Sequence, residues 1–262
     1  MQNVIATDSA PDIAHEFKAL LQQHQLANFE QLWKYQGDWF EPPNRERGGW
    51  SGVNYIELTD SAGMQHGFYL KRQQAHIRRT LIHPFSGEPT FVREFNILKH
   101  LARHNVATPK IVFFESQQNK AILLTQALTG FISADEWLEK NLVNCSVSKQ
   151  RLLARALATG VKGLHQADVV HRSLYLKHLF VKETNTEFEI ALIDFEKSRI
   201  TCLIAWLRFS DLITLHYRTP NLKISNKLAF FKQYFGVLHL NSWQKGVGDY
   251  IHRQSIKKSS TK

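Results

Sequence analysis

Val169-Val170-His171-Arg172-Ser173-Leu174-Tyr175-Leu176-Lys177-His178-Leu179-Phe180-Val181, followed after a turn by Ile190-Ala191-Leu192-Ile193-Asp194-Phe195-Glu196, decides how this chain is read. Val169-Val170 and Leu179-Phe180-Val181 are short apolar runs of the kind buried strands make. The run 190–193 is a third, and it delivers Asp194 at its end. Between the first two lies a loop dense in hydrogen-bonding and metal-ligating groups. An acidic residue straight after a buried strand is rarely a packing choice. It is suited to holding a cation or orienting a substrate. A hairpin with solvated polar residues is the plainer alternative, and the spacing argues against it.

His171-Arg172-Ser173 followed by His178 matches the spacing H-R-D-x-x-x-x-N, and Asp194-Phe195-Glu196 stands where D-F-G is found, so the chain resembles the protein-kinase-like superfamily. Within it the chain is most similar to the lipopolysaccharide kinases, the bacterial Kdo/heptose kinase group and its InaA-like branch, which carry His at the position of His178 and a loop of the H-x-x-x-Y-x-x-H kind. The resemblance runs from about residue 39 to 235. It implies ATP and Mg²⁺ as cofactors, His178 and Asp194 as metal ligands, and a catalytic loop of His171, Arg172 and Ser173. Ser173 stands where the family has its catalytic Asp, and a serine cannot accept a proton near neutral pH. Glu196, for the usual Gly, is a second departure.

Further upstream the same resemblance assigns an ATP-binding set. Gly48, Gly49 and Gly52 lie in a loop ahead of the strand 54–58, where glycines let backbone N–H groups approach phosphates. Taken alone this is an ordinary hairpin turn. In the strand 67–73, Lys71 follows alternating aromatic and aliphatic residues like the lysine of V-A-I-K; by itself it reads as a surface lysine. Residues 90–104 form a helix with a stripe of Phe91, Phe95, Leu98 and Leu101 and with Thr90 as N-cap. Glu94 is the carboxylate in its body, and the resemblance pairs it with Lys71. Residues 110–115 and 120–125 are two more strands, and Gln126 falls at the hinge that would meet adenine through the main chain. Arg78 and Arg79, in a basic connector, are phosphate contacts or a solvated face. His100 and His104 read as surface histidines.

The expected fold class is α+β: a protein-kinase-like two-lobed fold with a five-stranded antiparallel N-lobe sheet, helix C, and a mostly helical C-lobe. The expected organisation is a helical arm at 1–45, closed by Pro42-Pro43, an N-lobe at 46–126, a C-lobe at 127–252 and a basic tail at 253–262. Ser133 and Glu136 read as a capping box. Residues 148–165 form a long helix with Leu153, Leu157, Val161 and Leu164 on one stripe. Asp211 is either a helix cap or, by resemblance, a buried aspartate that holds the catalytic-loop backbone. Residues 226–252 close the domain with a helix or two.

Composition bounds the partners. The chain has 262 residues, of which 43% are hydrophobic, enough for a core. A net charge of +10 and a pI near 9.6 favour a polyanionic partner: a nucleotide, or an anionic glycolipid or inner-membrane surface. Charge alone also suits nucleic acid, but no nucleic-acid motif accompanies it. Cys145 and Cys202 show no metal spacing, which suits a reducing compartment. No apolar stretch follows Met1, and the run 200–207 is too short to span a bilayer. The expectation is a cytoplasmic protein that touches a membrane surface. As to function, the residues leave two readings from the resemblance: a sugar kinase acting on lipopolysaccharide core, or a kinase-like pseudoenzyme that binds nucleotide as a regulatory or stress-linked module.

Overall fold

The computed structural model describes residues 12–45, 48–75, 77–78, 88–201, 204–217, 219 and 222–260. Arg47, His76, Arg79 and Cys202 lie outside them. The chain divides into two compact units, Met1–Lys99 with Pro109–Thr129, and His100–Thr108 with Gly130–Lys262.

The first unit holds strands β1 (Asp12–Ile13), β2 (Trp39–Asn44), β3 (Trp50–Thr59), β4 (Gln65–Gln74), β5 (Ile77–Arg78), β6 (Glu88–Pro89), β7 (Ile111–Gln117) and β8 (Lys120–Gln126). Among the described residues one sheet has six strands, not the expected five, in the order β1-β7-β8-β4-β3-β2. All its pairs are antiparallel. Both edge strands, β1 and β2, come from the arm. Asp12 and Ile13, expected in a helix, instead pair with Phe114 and Phe113 at one edge. Trp39–Asn44, expected to terminate a helix, is a strand at the other edge. Its two prolines cannot donate to a ladder, and the register shifts between Trp39 and Asn44 are the irregularity that edge prolines impose.

The unit's helices are α1 (Lys18–Gln23), α2 (Phe29–Trp33) and α3 (Thr90–Arg103), the last belonging to this unit as far as Lys99. α1 and α2 are too short to persist by propensity. They persist because Phe17, Leu20, Leu21, Phe29 and Leu32 share one buried cluster with Ile56, Leu58, Phe68 and Leu70 of the sheet. Period-2 alternation in β3 and β4 sends those four residues to the arm face, so Val53, Tyr55, Tyr69 and Lys71 take the other.

Helices dominate the second unit: α4 (Ala134–Asn141), α5 (Val147–Gln166), α6 (Ile204–Tyr217), α7 (Ile224–Phe235) and α8 (Ser242–Ser260). Its strands are β9 (Ile132–Ser133), β10 (Val169–Val170), β11 (Leu179–Glu183), β12 (Phe188–Leu192) and β13 (Arg199–Ile200). They form the sheets β12-β11-β9 and β10-β13. The α5 stripe of Leu153, Leu157, Val161 and Leu164 is buried. Gly160 lets this helix approach β12, because a Cβ there would lie 2.8 Å from Ile190 Cγ2. The anticipated capping box does not form: Ser133 makes no side-chain cap and is itself paired with Phe180 in the sheet. α8 continues through 253–260, the stretch expected to be a tail.

Candidate active site

In the first unit Lys71 Nζ donates to Glu94 Oε1 at 2.7 Å. β4 supplies the lysine on the face opposite the arm, and α3 supplies the glutamate. What orients α3 is Gln73, which the sequence reading passed over. Its Oε1 accepts from Phe91 N at 3.0 Å and from Thr90 Oγ1 at 2.8 Å. Thr90, expected as the N-cap, is therefore the first helical residue, and a glutamine two places beyond Lys71 satisfies the helix's free amide. Arg72, between them, points to the other face. It donates to the carbonyls of Trp33 and Tyr35 and to Asn54 Oδ1, while Asn54 Nδ2 donates to the carbonyls of Gly37 and Asp38. Burial pulls its guanidinium below the usual range.

The glycines divide. Gly48 has φ +77° with open space around it, a left-handed turn position. Gly49 and Gly52 have packing reasons of their own: a Cβ would meet the carbonyl of Gln74 at 2.2 Å in one case and the Trp39 ring at 2.7 Å in the other. The amide of Gln126 is committed to the carbonyl of Lys110, and that of Ala127 to Gly67. A hinge contact through the Gln126 N–H is thereby removed. On the Lys71 face, Tyr69 stands where V-A-I-K has alanine. Its ring lies 5.2 Å from those of Phe40 and Tyr55, an aromatic row absent from the sequence reading.

In the second unit the catalytic-loop candidates are held from below. Asp211 lies within α6, not at its N-terminus, and is buried. Its Oδ2 accepts from His171 N at 2.6 Å and its Oδ1 from Arg172 N at 2.7 Å. His165 adds a third contact, Nε2 to Oδ2 at 3.3 Å, while its Nδ1 meets the Tyr234 hydroxyl at 2.7 Å. Burial keeps the His165 imidazole below the usual range and raises the Tyr234 phenol to about 12. The consistent assignment is a neutral imidazole that donates from Nε2 and accepts from tyrosine. Neither His165 nor Tyr234 belongs to a recognisable motif; only the α5 periodicity marks His165 as inward-facing.

The loop is tied to the strand that carries Asp194. His171 Nε2 donates to the carbonyl of Ile193 at 3.0 Å, and Ile193 N donates to the carbonyl of His178 at 3.1 Å. Ser198 Oγ donates to the carbonyl of His171. The rings of His171 and His178 stack at 5.6 Å. Arg172 and Asp194 adopt φ +63° and +64°, a region disfavoured without glycine, so the surrounding bonds hold both in place. Ser173 is buried, and its carbonyl accepts from His178 Nδ1 at 2.8 Å.

That last bond determines what His178 can do. With Nδ1 protonated and burial holding the imidazole below its usual pKa, Nε2 carries a lone pair. It faces Asp194 Oδ2 at 3.1 Å. In the neutral ring that nitrogen and the carboxylate can share a cation, whereas a protonated ring donates to the carboxylate directly. Neighbouring ligands on a six-coordinate Mg²⁺ sit about 3 Å apart, so the spacing of these two donors would suit one such ion. Among the described residues no group of three or more His, Cys, Asp or Glu is placed to hold a metal.

Comparisons with known proteins identify the family. Residues 30–234 match the lipopolysaccharide kinase (Kdo/WaaP) family. Protein InaA of Escherichia coli K12 is 35% identical over 176 residues, 65% of this chain and 78% of InaA. The lipopolysaccharide core heptose(I) kinase WaaP of the same strain is 29% identical over 159 residues, covering 55% of this chain and 60% of WaaP. Among solved structures, WaaP in complex with acyl carrier protein superposes with a TM-score of 0.70 at 18% identity, over 95% of this chain and 99% of that one. This likeness shows the protein-kinase-like fold. A family match over this much of the sequence also assigns the chain: it belongs to the lipopolysaccharide kinase (Kdo/WaaP) family.

Proposed function

We propose that this protein is an ATP-dependent phosphotransferase acting on a sugar hydroxyl of lipopolysaccharide core or a related glycolipid. The observation that carries the proposal is His178 Nε2 set 3.1 Å from Asp194 Oδ2, a nitrogen and a carboxylate oxygen spaced to share one cation. In this reading Asp194 and His178 hold Mg²⁺, which neutralises charge on the phosphates. Lys71, fixed by Glu94, binds phosphate oxygens. Gly48 gives the loop before β3 its left-handed turn, with Gly49 and Gly52 as its packing supports. Tyr69 and Tyr55 offer rings to the adenine, and the main chain beyond Gln126 meets its edge. Asp211 keeps the loop of His171, Arg172 and Ser173 in shape.

Phosphoryl transfer depends on positioning and charge neutralisation more than on covalent help. A serine in place of the base still removes an effect worth about 10²–10⁴-fold. The predicted enzyme is therefore slow. Ser173 equally favours a second reading, in which the protein binds Mg·ATP without turnover and acts as a regulatory module. The WaaP kinases, similar over 55% of the chain, weigh toward transfer.

The test is Mg·ATP binding by thermal shift on the wild type, Lys71→Ala and Asp194→Ala, since a ligand of the folded state raises apparent stability. Stabilisation that needs Mg²⁺ and is lost in both variants supports the site. Phosphate transfer to core glycolipid is then measured with and without Ser173→Asp. Turnover in the wild type supports the first reading; turnover only in Ser173→Asp supports the second. No binding by a folded wild type rejects both.

A further inference from the structure

The second unit carries an exposed surface that the phosphotransfer site does not use. In α8, Trp243, Tyr250 and Lys257 recur at seven-residue intervals, which places them along one line of the helix. Trp243 is 64% exposed. Trp206 of α6, 67% exposed, packs its ring 6.0 Å from that of Tyr250, so the aromatic row widens onto a second helix. Trp243 is braced by Phe235 at 5.9 Å. Leu238, in the turn that leads into α8, is 84% exposed. Arg253 lies exposed beside this row and Lys257 exposed at its end, while Lys258, also exposed, donates to Thr214 Oγ1 at 3.0 Å; Lys245 and His252 lie further round. Asp249 is the one carboxylate within α8.

We propose that this face of α6 and α8 docks on the surface of an anionic phospholipid bilayer. Tryptophan and tyrosine are the side chains that settle at the boundary between headgroups and acyl chains, since one part of each ring system is apolar and the other polar. Leu238 adds a purely aliphatic contact at the same end of the helix. Cations beside an aromatic row gain from the negative potential of anionic lipid. Two alternative occupants fit less well. A second copy of the chain would offer these cations few acidic partners, since Asp249 is the one carboxylate of α8. Single-stranded nucleic acid would use the rings and cations but gives Leu238 no role. The proposal rests on the glycolipid reading above for its purpose, because an acceptor anchored in a bilayer is reached from its surface; its geometry stands apart from that reading.

The experiment is co-sedimentation of the full chain with vesicles of phosphatidylcholine alone or with 30% phosphatidylglycerol, in low and high salt. The wild type is expected to sediment with the anionic vesicles and to be released as salt rises. Trp206→Ser with Trp243→Ser, and Arg253→Glu with Lys257→Glu, are each expected to weaken that binding at least about tenfold. Val143→Ser, at a residue 92% exposed elsewhere in the unit, should leave it unchanged. Unchanged circular dichroism and an unchanged Mg·ATP thermal shift would show that the face variants fold and keep the other site. The proposal is overturned if the wild type ignores anionic vesicles, if both double variants bind like the wild type, or if the face variants lose only oligonucleotide binding or self-association. A protein that binds vesicles but not Mg·ATP would keep this inference and lose the phosphotransfer one.

Discussion

Asp211→Asn isolates the support beneath the catalytic-loop candidates. The carboxylate is 1% exposed and receives three donors: His171 N at 2.6 Å, Arg172 N at 2.7 Å and His165 Nε2 at 3.3 Å. Asparagine keeps the shape but has one oxygen. Oriented toward Arg172, it retains that bond without its charge assistance, and its NH₂ then confronts the amide of His171. His165 can adapt by moving its proton to Nδ1 and donating to Tyr234, so its share of the loss is small. Orphaning a buried amide and weakening a charge-assisted bond costs about 3–5 kcal/mol, offset in part by no longer burying a charge, for a net loss of about 2–4 kcal/mol. Urea denaturation measures this directly. Hydrogen exchange at the amides of His171 and Arg172 should accelerate in step. A variant within about 0.5 kcal/mol of wild type, with both amides as protected as before, would refute the account, since surface-like substitutions stay within that range.

Acid should destabilise the fold. His165, His178 and His216 are all depressed chiefly by burial, His216 to about 4. A base with a lowered folded pKa is protonated first in the unfolded chain, so stability is full above about pH 6.5 and declines as pH falls toward 4. Denaturation midpoints across that range should show the slope, and His216→Gln should reduce it. Gln73→Leu removes the acceptor for Phe91 N and should cost about 1–2 kcal/mol in stability while weakening Mg·ATP binding more than a substitution on the exposed face of α3 does. Arg72→Met leaves Asn54 Oδ1 and two arm carbonyls without their donor and should lower stability by about 2–4 kcal/mol, with Asn54→Ala in the same background adding less than it does alone. Ser173→Asp should raise phosphate transfer by at least about a hundredfold if the fold tolerates the charge.

The second unit was the more legible in sequence. Strand, loop and strand around His171 stand where the apolar runs indicate, and the α5 stripe is buried as its spacing demands. Those signals are local, since each depends on residues within a turn or two. The arm misled for the opposite reason. Ile13 and Phe17 have helical spacing, yet Ile13 is taken by the edge of β7, a partner a hundred residues away. Pro42 and Pro43 correctly exclude a helix but do not reveal that an edge strand tolerates them. Caps failed in the same manner. Ser133 and Thr90 are suitable cap residues, but Ser133 is consumed by sheet pairing and Thr90 is displaced by Gln73, a side chain from another element. Lys71 and Glu94 were assigned by resemblance, and their 2.7 Å contact arises from a pairing of β4 with α3 that no short-range pattern encodes.

The arm's place in the first unit has a consequence for how this sequence can vary. The family match begins at residue 30, yet Phe17, Leu20, Leu21 and Phe29, all before it, share one buried cluster with Ile56, Leu58, Phe68 and Leu70. Two segments that interlock in this way accept change only together. A larger side chain at Leu21 calls for a smaller one among the sheet residues it packs with, and trimming the chain to the matched region would lay bare a hydrophobic face along the back of β3 and β4. The arm is thus one side of the first unit's interior rather than an appendage to it.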